Sequence, residues 1–129
     1  MADISIKWGK RVNIANMFPT IGSLEEMYRS MVIRGKLVEN VSAQDMATHG
    51  ITQNPLGKWE TAKPDRDSTM SMSDDEILLF DSFIKDLSKK KQVPLIFADV
   101  FSVIDNLAKE IEAAKEEESE EEQEEEGGE

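Results

Sequence analysis

The amino-acid sequence predicts a mainly α-helical single domain of four to five helices, with a minor β-hairpin and a disordered acidic C-terminal tail. Three observations indicate this fold class. An acidic residue stands three positions after each of three serines that precede a helical stretch: Ser23, Ser42 and Ser73. Residues 51–72 hold two of the four prolines, one glycine and several Ser and Thr, which is typical of turns and short strands. Beyond about Ala113 the apolar residues end.

The serines predict where helices begin. A Ser hydroxyl before a helix accepts a hydrogen bond from the backbone N–H three residues on, and a Glu at that position can reach back to the serine N–H. We therefore expect a helix from Ser23 to about Val38 and a short helix from Ser42 to about Gly50. In the first of these, apolar residues recur at helical spacing and are expected to face the core: Leu24, Met27, Tyr28 and Met31. The methionines suit an adaptable core or a soft partner surface, and the core is the favoured interpretation.

The start of the chain and the proline-rich middle are less regular. Residues 7–17 are predicted to form a first helix, with Val12, Ile14 and Met17 inward, and residues 4–6 can form a strand before it. Residues 51–72 are predicted to be a loop containing at most a small hairpin. Its strands are expected at 51–53 and 58–61.

Two longer helices are predicted after Ser73. The first has one apolar stripe, made of Ile77, Phe80, Ile84 and Leu87. Lys89, Lys90 and Lys91 end it, because cations suit the negative C-terminal end of a helix. The second follows Pro94, which is well placed at a first helical position. It buries a face made of Ile96, Val100, Val103, Leu107 and Ile111, and is expected to fray near Ala113.

Nearly all of the net charge lies at the C-terminus. The chain has 27 acidic and 15 basic residues and a net charge of −12, and residues 116–129 hold ten Glu and no Lys or Arg. The rest therefore sums to about −2, since 17 acidic residues face 15 basic ones. We predict a helical domain over residues 1–115 and a Glu-rich tail over residues 116–129, which self-repulsion keeps disordered.

Several function classes are disfavoured by composition. Without cysteine the chain has no disulfide, thiolate metal site or cysteine nucleophile. No apolar run reaches membrane-spanning length and the N-terminus lacks a signal-peptide layout, so we expect a cytoplasmic protein without membrane contact. The low pI makes direct nucleic-acid binding an unfavoured function, because phosphates repel the tail.

The sequence predicts no enzyme and no cofactor. His49 is the only histidine, and no positioned partner for acid–base catalysis accompanies it. One window has oxygen-bearing side chains at the spacing of a calcium loop: Asp65, Asp67, Thr69, Ser71, Ser73 and Glu76. Position 6 of that window is Met70 instead of Gly, and Ser73 and Glu76 already form a helix cap. A polar loop followed by a capped helix is therefore the favoured interpretation.

Three groups of residues are predicted to bind a partner. An aromatic side chain among cations can stack a base or hold a phosphate, and Trp8, Lys10 and Arg11, beside Lys7, form such a cluster. The alternative is a helix whose Trp packs inward while the Lys residues are solvated. The second group is Lys89, Lys90 and Lys91, which can also receive the acidic tail. The third is the tail itself, represented by Glu120, Glu121 and Glu122.

Several segments occur in an order that resembles small helical proteins of phage and prophage origin. They are the stretch Asn16–Leu24, a following helix with Arg29 and Arg34, the segment Gly57–Glu60, and Ser73–Glu76 at the start of a long helix. The resemblance concerns layout and covers about residues 13–105. It implies a phage-type accessory protein that acts by binding, located in the host cytoplasm, and it supplies no active-site residues.

From these observations we expect a non-enzymatic protein–protein interaction module whose acidic tail competes for a basic partner surface. The partner is another protein, basic or nucleic-acid-binding, and a homodimer is also compatible with the sequence. Two alternatives stay open. The helix–helix–helix–hairpin order is that of a winged-helix nucleic-acid-binding or transcription-regulating protein, although the third helix has an Asp and no Lys or Arg. The other alternative is a virion assembly protein or chaperone that binds an apolar segment.

Overall fold

The structure, a computed structural model, describes the backbone of residues 1–127 and the side chains of residues 1–117. Within that part the chain forms five α-helices and two two-stranded sheets, which confirms the predicted mainly α-helical class. The helices are α1 (Trp8–Met17), α2 (Leu24–Arg34), α3 (Ala43–His49), α4 (Asp74–Lys89) and α5 (Ala98–Gly127). The strands are β1 (Ala2–Lys7), β2 (Ile51–Gln53), β3 (Trp59–Thr61) and β4 (Asp67–Met72). A π-helical turn, Gly35–Glu39, continues α2, and a 3-10 turn, Leu95–Phe97, precedes α5.

The strand β4 and its pairing with β1 were not predicted. The two strands run antiparallel along their whole length, with Ile4 opposite Met70. Their inner face contributes to the core through alternate residues, which are Ile4, Ile6, Met70 and Met72. Only two apolar residues occur in β4, and its outward-facing side chains are all polar. The segment therefore resembles a loop until its partner strand is known.

The chain passes from β1 into α1 without a side-chain cap. The first free N–H groups of the helix, on Trp8 and Gly9, donate instead to the carbonyl oxygens of Arg66 and Pro64, each at 3.0 Å. A Cβ on residue 9 would lie 2.7 Å from the Pro64 Cβ, so this close approach requires glycine. The segment before β4 thus acts as the cap that the sequence around residue 7 lacks.

The predicted hairpin is confirmed by β2 and β3, which pair antiparallel. Asn16 in α1 anchors it, because its side-chain amide donates to the Trp59 carbonyl and accepts from the Trp59 N–H, both at 2.9 Å. The three serine caps are also confirmed. Ser23 and Ser42 each accept from the predicted N–H at 3.1 Å. Ser73 forms the complete reciprocal box with Glu76.

Aromatic side chains join α1, α4 and α5 in the core. Phe18, just after α1, stacks on Phe83 with ring centroids 3.9 Å apart, and meets Phe80 edge-on at 6.0 Å. Phe80 is fully buried and also meets Phe101 of α5 edge-on. Edge-to-face and offset arrangements of this kind add to the stabilisation from buried apolar area. The predicted apolar stripe of α4 and the Phe101 side chain of α5 therefore lie at the centre of the fold.

The predicted inner face of α2 is wrong. Leu24, Tyr28 and Met31 are 92%, 57% and 63% exposed, while the following residues Ile33, Leu37 and Val38 are fully buried. The side of α2 that meets α4 contains polar residues with specific partners. Ser30 donates to the Pro19 carbonyl, and Arg29 pairs with Asp86 at 2.9 Å. A pattern of apolar residues cannot find a face that is buried through polar contacts.

The helix α5 continues beyond Ala113, where fraying was expected, and its residues 112–117 are exposed. It lies antiparallel to α4, since Asp105 and Phe101 approach the middle of α4 and Ala98 its C-terminal end. The disorder predicted for residues 116–129 stays a prediction, because the side chains of residues 118–129 lie outside the described part of the chain.

The Ser73 cap gives a test of the fold. Replacing Ser73 by Ala removes the acceptor for the Glu76 N–H and half of the reciprocal box, so we expect a loss of about 1–2 kcal/mol in the free energy of unfolding. Urea unfolding measures this. Ser102→Ala, at an exposed position inside α5, is the matched control and should be neutral or slightly stabilising. Equal effects of the two changes would contradict the capping role.

Candidate functional site

The predicted cluster around Trp8 does not form one exposed patch. Trp8 and Arg11 are only 3% and 5% exposed, so both face the interior. Lys10 lies outside, where its ammonium group pairs with Asp99 at 2.7 Å. The cluster is therefore divided between the core and an ion pair at the start of α5. A partner-binding role for these residues stays a prediction, and of the three only Lys10 is more than marginally exposed.

Arg11 joins three parts of the chain. Its Nε donates to the Leu37 carbonyl at 2.9 Å, Nη2 donates to the Lys36 carbonyl at 3.1 Å, and Nη1 donates to Ser68 Oγ at 3.1 Å. The guanidinium carbon lies 4.0 Å from the centre of the Trp8 ring, a cation–π contact. Burial lowers the pKa of Arg11 to about 10, and the nearby Asp45 carboxylate partly opposes that shift.

A polar cleft lies over Arg11. It has a volume of about 470 Å³ and lies between α3, the turn that leads into it, and β4. We call it the Arg11 cleft. Besides Arg11, its lining includes Trp8, Lys36, Asp45, His49, Asp67 and Ser68. The His49 ring packs on Trp8 with centroids 4.9 Å apart. The sequence contained no signal that these separate segments meet.

The lysines at the end of α4 are exposed, as predicted. Lys89 and Lys90 border a second polar cleft of about 530 Å³ between α2 and α4, which Glu25 and Glu26 also line. Lys91 has a φ of 56°, a left-handed conformation at the helix end. Lys89 and Lys90 therefore line the same cleft as two acidic side chains of α2, although no ion pair joins them among residues 1–117. Their predicted role in binding a partner or the tail stays untested.

The tail residues Glu120, Glu121 and Glu122 lie outside the residues whose side chains the structure describes. The direction of α5 up to Glu117 is described, and it bears on them. Because α5 lies antiparallel to α4, it leaves the domain beside the N-terminal end of α4, where Asp74, Asp75 and Glu76 lie. Lys89–Lys91 are at the opposite end, about 24 Å away along the 16 residues of α4.

Exposed apolar side chains lie along α2 and just before it, and the helical spacing predicts a core position for three of them. These residues are Ile21, Leu24, Tyr28 and Met31, which we call the α2 face. They are 88%, 92%, 57% and 63% exposed. Leu24, Tyr28 and Met31 lie at intervals of four and three residues, which places them on one side of α2, and Ile21 lies three residues before the helix begins. The signal was present in the methionine and leucine spacing, but only the packing of α2 shows that this side meets solvent.

A second set of apolar side chains is exposed where α4 leads into α5. These residues are Val93, Leu95, Ile96 and Val103. Val93 also lines a groove of about 250 Å³ between the two helices, with Ile84 and Phe101 deeper in it. The predicted burial of Ile96 and Val103 is therefore wrong. The helix α5 begins later than expected, and Ile96 lies in the 3-10 turn that precedes it.

The oxygen-bearing window at Asp65–Glu76 has the geometry of a strand and a helix cap. Residues 67–72 are extended and paired with β1, so their side chains alternate between two faces. A calcium loop must instead curl around one point. Among the described residues, no group of three or more His, Cys, Asp or Glu side chains is placed to hold a metal ion.

Comparison of the chain with protein-family models, curated proteins and solved structures finds no match. The resemblance to phage and prophage proteins therefore stays a prediction from sequence layout. In the part of the chain that the structure describes, no helix combines the length and apolar character that crossing a bilayer requires.

Asp81 is a second charged residue in the interior. It is 2% exposed, its Oδ2 lies 3.1 Å from the Lys85 ammonium, and its Oδ1 has no hydrogen-bond partner among the described residues. Burial raises the pKa of Asp81 above its usual value, and Asp105 on α5 adds to the rise, while Lys85 opposes it. The pKa of Asp105 is lowered, first by its hydrogen bond with Lys109.

The raised pKa of Asp81 predicts how the stability of the fold depends on pH. A carboxyl whose pKa is raised in the folded state binds more protons there than in the unfolded chain, so its contribution to stability falls as pH rises above 3.8. We expect Asp81→Asn to become progressively more stable relative to the native chain as pH rises from about 4 to about 7. Urea unfolding at several pH values measures the difference. Asp65→Asn, at an exposed site, is the control, and a pH-independent difference for Asp81→Asn would contradict the raised pKa.

Proposed function

We propose that this chain is a non-enzymatic protein-interaction module that docks on a partner protein through the α2 face, with the acidic C-terminal segment attracting a basic partner surface. The observation that supports it best is the set of four large apolar side chains that are exposed on one side of α2 and just before it. Monomeric proteins rarely expose large apolar patches, and such patches commonly mark interaction sites.

The shape of the α2 face suits a partner helix or groove. From Leu24 to Met31 the face runs about 10 Å at the rise of a helix, which is roughly two turns. Amphipathic helices dock through side chains at just these intervals. Met31 and the half-buried Met27 can adapt their shape to the partner, because methionine is unbranched and flexible.

The charges beside the face favour a basic partner. Glu25 and Glu26 lie exposed in the first turn of α2, and neither has an ion-pair partner among residues 1–117. The two arginines of α2 are neutralised within the domain, since Arg29 pairs with Asp86 and Arg34 pairs with Glu39 at 3.0 Å. The charges of α2 itself that have no ion-pair partner among residues 1–117 are therefore negative. Residues 116–129 carry ten more glutamates on a segment that leaves the domain beside the N-terminal end of α4. A surface that carries charge of one sign accelerates diffusional encounter with a partner surface of the opposite sign.

A run of carboxylates also imitates the charge of a nucleic-acid backbone. A specific form of the proposal is therefore a phage-type accessory protein that occupies the basic surface of a host nucleic-acid-binding protein. Catalysis is not proposed, because the one histidine packs against Trp8 and its Nδ1 has no hydrogen-bond partner among the described side chains.

The second candidate is a virion assembly protein or chaperone, which the additional exposed apolar side chains at Val93, Leu95 and Ile96 favour. Such a protein would hold an apolar segment of its client without needing the acidic tail. A winged-helix nucleic-acid binder is less well supported. The helix and hairpin order fits it, but the exposed α3 has Asp45 and no basic side chain except His49 at its end.

The α2 face is tested by a charge placed at its centre. Met31→Glu should weaken partner binding by about 2 kcal/mol, since a charge would have to be buried in an apolar contact. The measurement is quantitative capture of crosslinked partners from a lysate of the encoding organism, followed by titration with the purified partner. Gln44→Glu, the same charge change on exposed α3, is the control and should bind normally. Equal binding of both variants would exclude the α2 face.

The role of the acidic segment is tested with a chain ending at Lys115. If the segment attracts a basic surface, truncation should slow association with the purified partner at about 0.05 M salt and have little effect at about 0.5 M, where charges are screened. Association rates from a biosensor measure this. Binding that ignores both truncation and salt would favour the assembly or chaperone alternative.

A further inference from the structure

Arg11 holds a buried positive charge that no acidic side chain neutralises directly. Among residues 1–117, no carboxylate lies within ion-pair distance of its guanidinium group, although the other ion pairs of the domain lie between 2.7 and 3.5 Å. Its three hydrogen bonds go to two carbonyl oxygens and a hydroxyl, which are neutral acceptors. Buried charges in proteins are normally paired or bound to a ligand.

The hydrogen-bonding capacity of Arg11 is also incomplete. A guanidinium group has five N–H bonds. Nε, Nη1 and Nη2 each use one of them, which leaves one N–H on each terminal nitrogen. Adjacent N–H bonds of this kind form the fork that recognises the two oxygens of a carboxylate or a phosphate.

Space for such a group is present beside Arg11. The Arg11 cleft has a volume of about 470 Å³, within the range of small-ligand sites. Its floor includes Arg11 and Trp8 from α1, and its walls come from α3 and β4. Two polar atoms of its lining residues, Trp8 Nε1 and His49 Nδ1, are buried without a hydrogen-bond partner among the described residues. The polar groups around the cleft are therefore not all satisfied by the protein itself.

The remaining charges at the rim mostly cancel. Lys36 pairs with Glu76 at 3.5 Å, and Asp67 pairs with Lys7 at 3.2 Å. The exposed Asp45 is the acid left opposite Arg11, and it has no ion-pair partner among residues 1–117. It faces the cleft from the first turn of α3. An anion entering the cleft would be attracted by the positive charge of Arg11 and repelled by the negative charge of Asp45.

We propose that the Arg11 cleft binds a small oxyanion, a carboxylate or a phosphate group, on the two free N–H bonds of Arg11. This site is independent of the α2 face and of the acidic segment. A purely structural Arg11 would only hold the turn at Lys36 and Leu37 against α1. The two roles differ in one measurable respect, which is saturable binding of an anion.

The two tryptophans of the chain supply a reporter and an internal control. The centre of the Trp8 ring lies 4.0 Å from the Arg11 guanidinium carbon, whereas Trp59 lies on β3 and does not line the cleft. The experiment titrates the ¹⁵N-labelled full chain with sodium acetate and, separately, with inorganic phosphate, keeping ionic strength constant with sodium chloride. We expect the Trp8 indole signal to shift and saturate with a Kd on the order of 10 mM or tighter, while the Trp59 signal stays fixed.

Asp45→Asn is the variant that sharpens the test. Its side chain is exposed, so the fold should persist, and removal of its charge should tighten anion binding roughly fivefold. Arg11→Gln should abolish binding, and its folding is checked by the Trp59 signal. Saturation by acetate alone identifies a carboxylate site, and saturation by phosphate alone identifies a phosphate site. If neither probe shifts Trp8 in the native chain or in Asp45→Asn, or if Trp8 and Trp59 shift together, the proposal is overturned.

Discussion

The antiparallel pairing of β1 with β4 is the constraint on which the rest of the fold depends. It brings Ile4 beside Met70 and thereby closes a loop that contains α1, α2, α3 and the hairpin. Closing so long a loop has an entropic cost that local structure cannot recover. Burial of apolar side chains in the core offsets this entropic cost. Ile4, Ile6, Met70 and Met72 belong to the same core cluster as the aromatic side chains of α4 and α5. The same pairing places Ser68 next to Arg11, and Arg66 and Pro64 at the first turn of α1.

The features that follow from neighbours in sequence were predictable. A serine cap needs only its own residue and the N–H three positions later, so the starts of α2, α3 and α4 could be placed at Ser23, Ser42 and Ser73. The hairpin of β2 and β3 followed from its turn residues. The strand β4 could not be placed in this way, because its partner lies more than 60 residues earlier and its outward side chains are polar.

The burial of individual side chains was harder to predict for a related reason. Trp8, Lys10 and Arg11 are adjacent in sequence and resemble one exposed patch, yet the acceptors that make Arg11 tolerable in the interior come from Leu37 and Ser68. Conversely, Leu24, Tyr28 and Met31 have core-like spacing, but α2 turns its polar side inward because Ser30 and Arg29 find partners there. Both arrangements depend on contacts between distant segments, which a helical pattern does not contain.

The antiparallel arrangement of α4 and α5 has a consequence for how the molecule behaves in solution. Lys89–Lys91 lie at one end of α4, and the chain leaves for its glutamate-rich segment beside the other end. Separated charges of opposite sign give a molecule a large electric dipole moment. In the field of a charged surface such a molecule experiences a torque as well as a force, so its rotational diffusion becomes biased before any contact forms. The first collision would then involve a preferred pole of the domain instead of a random one.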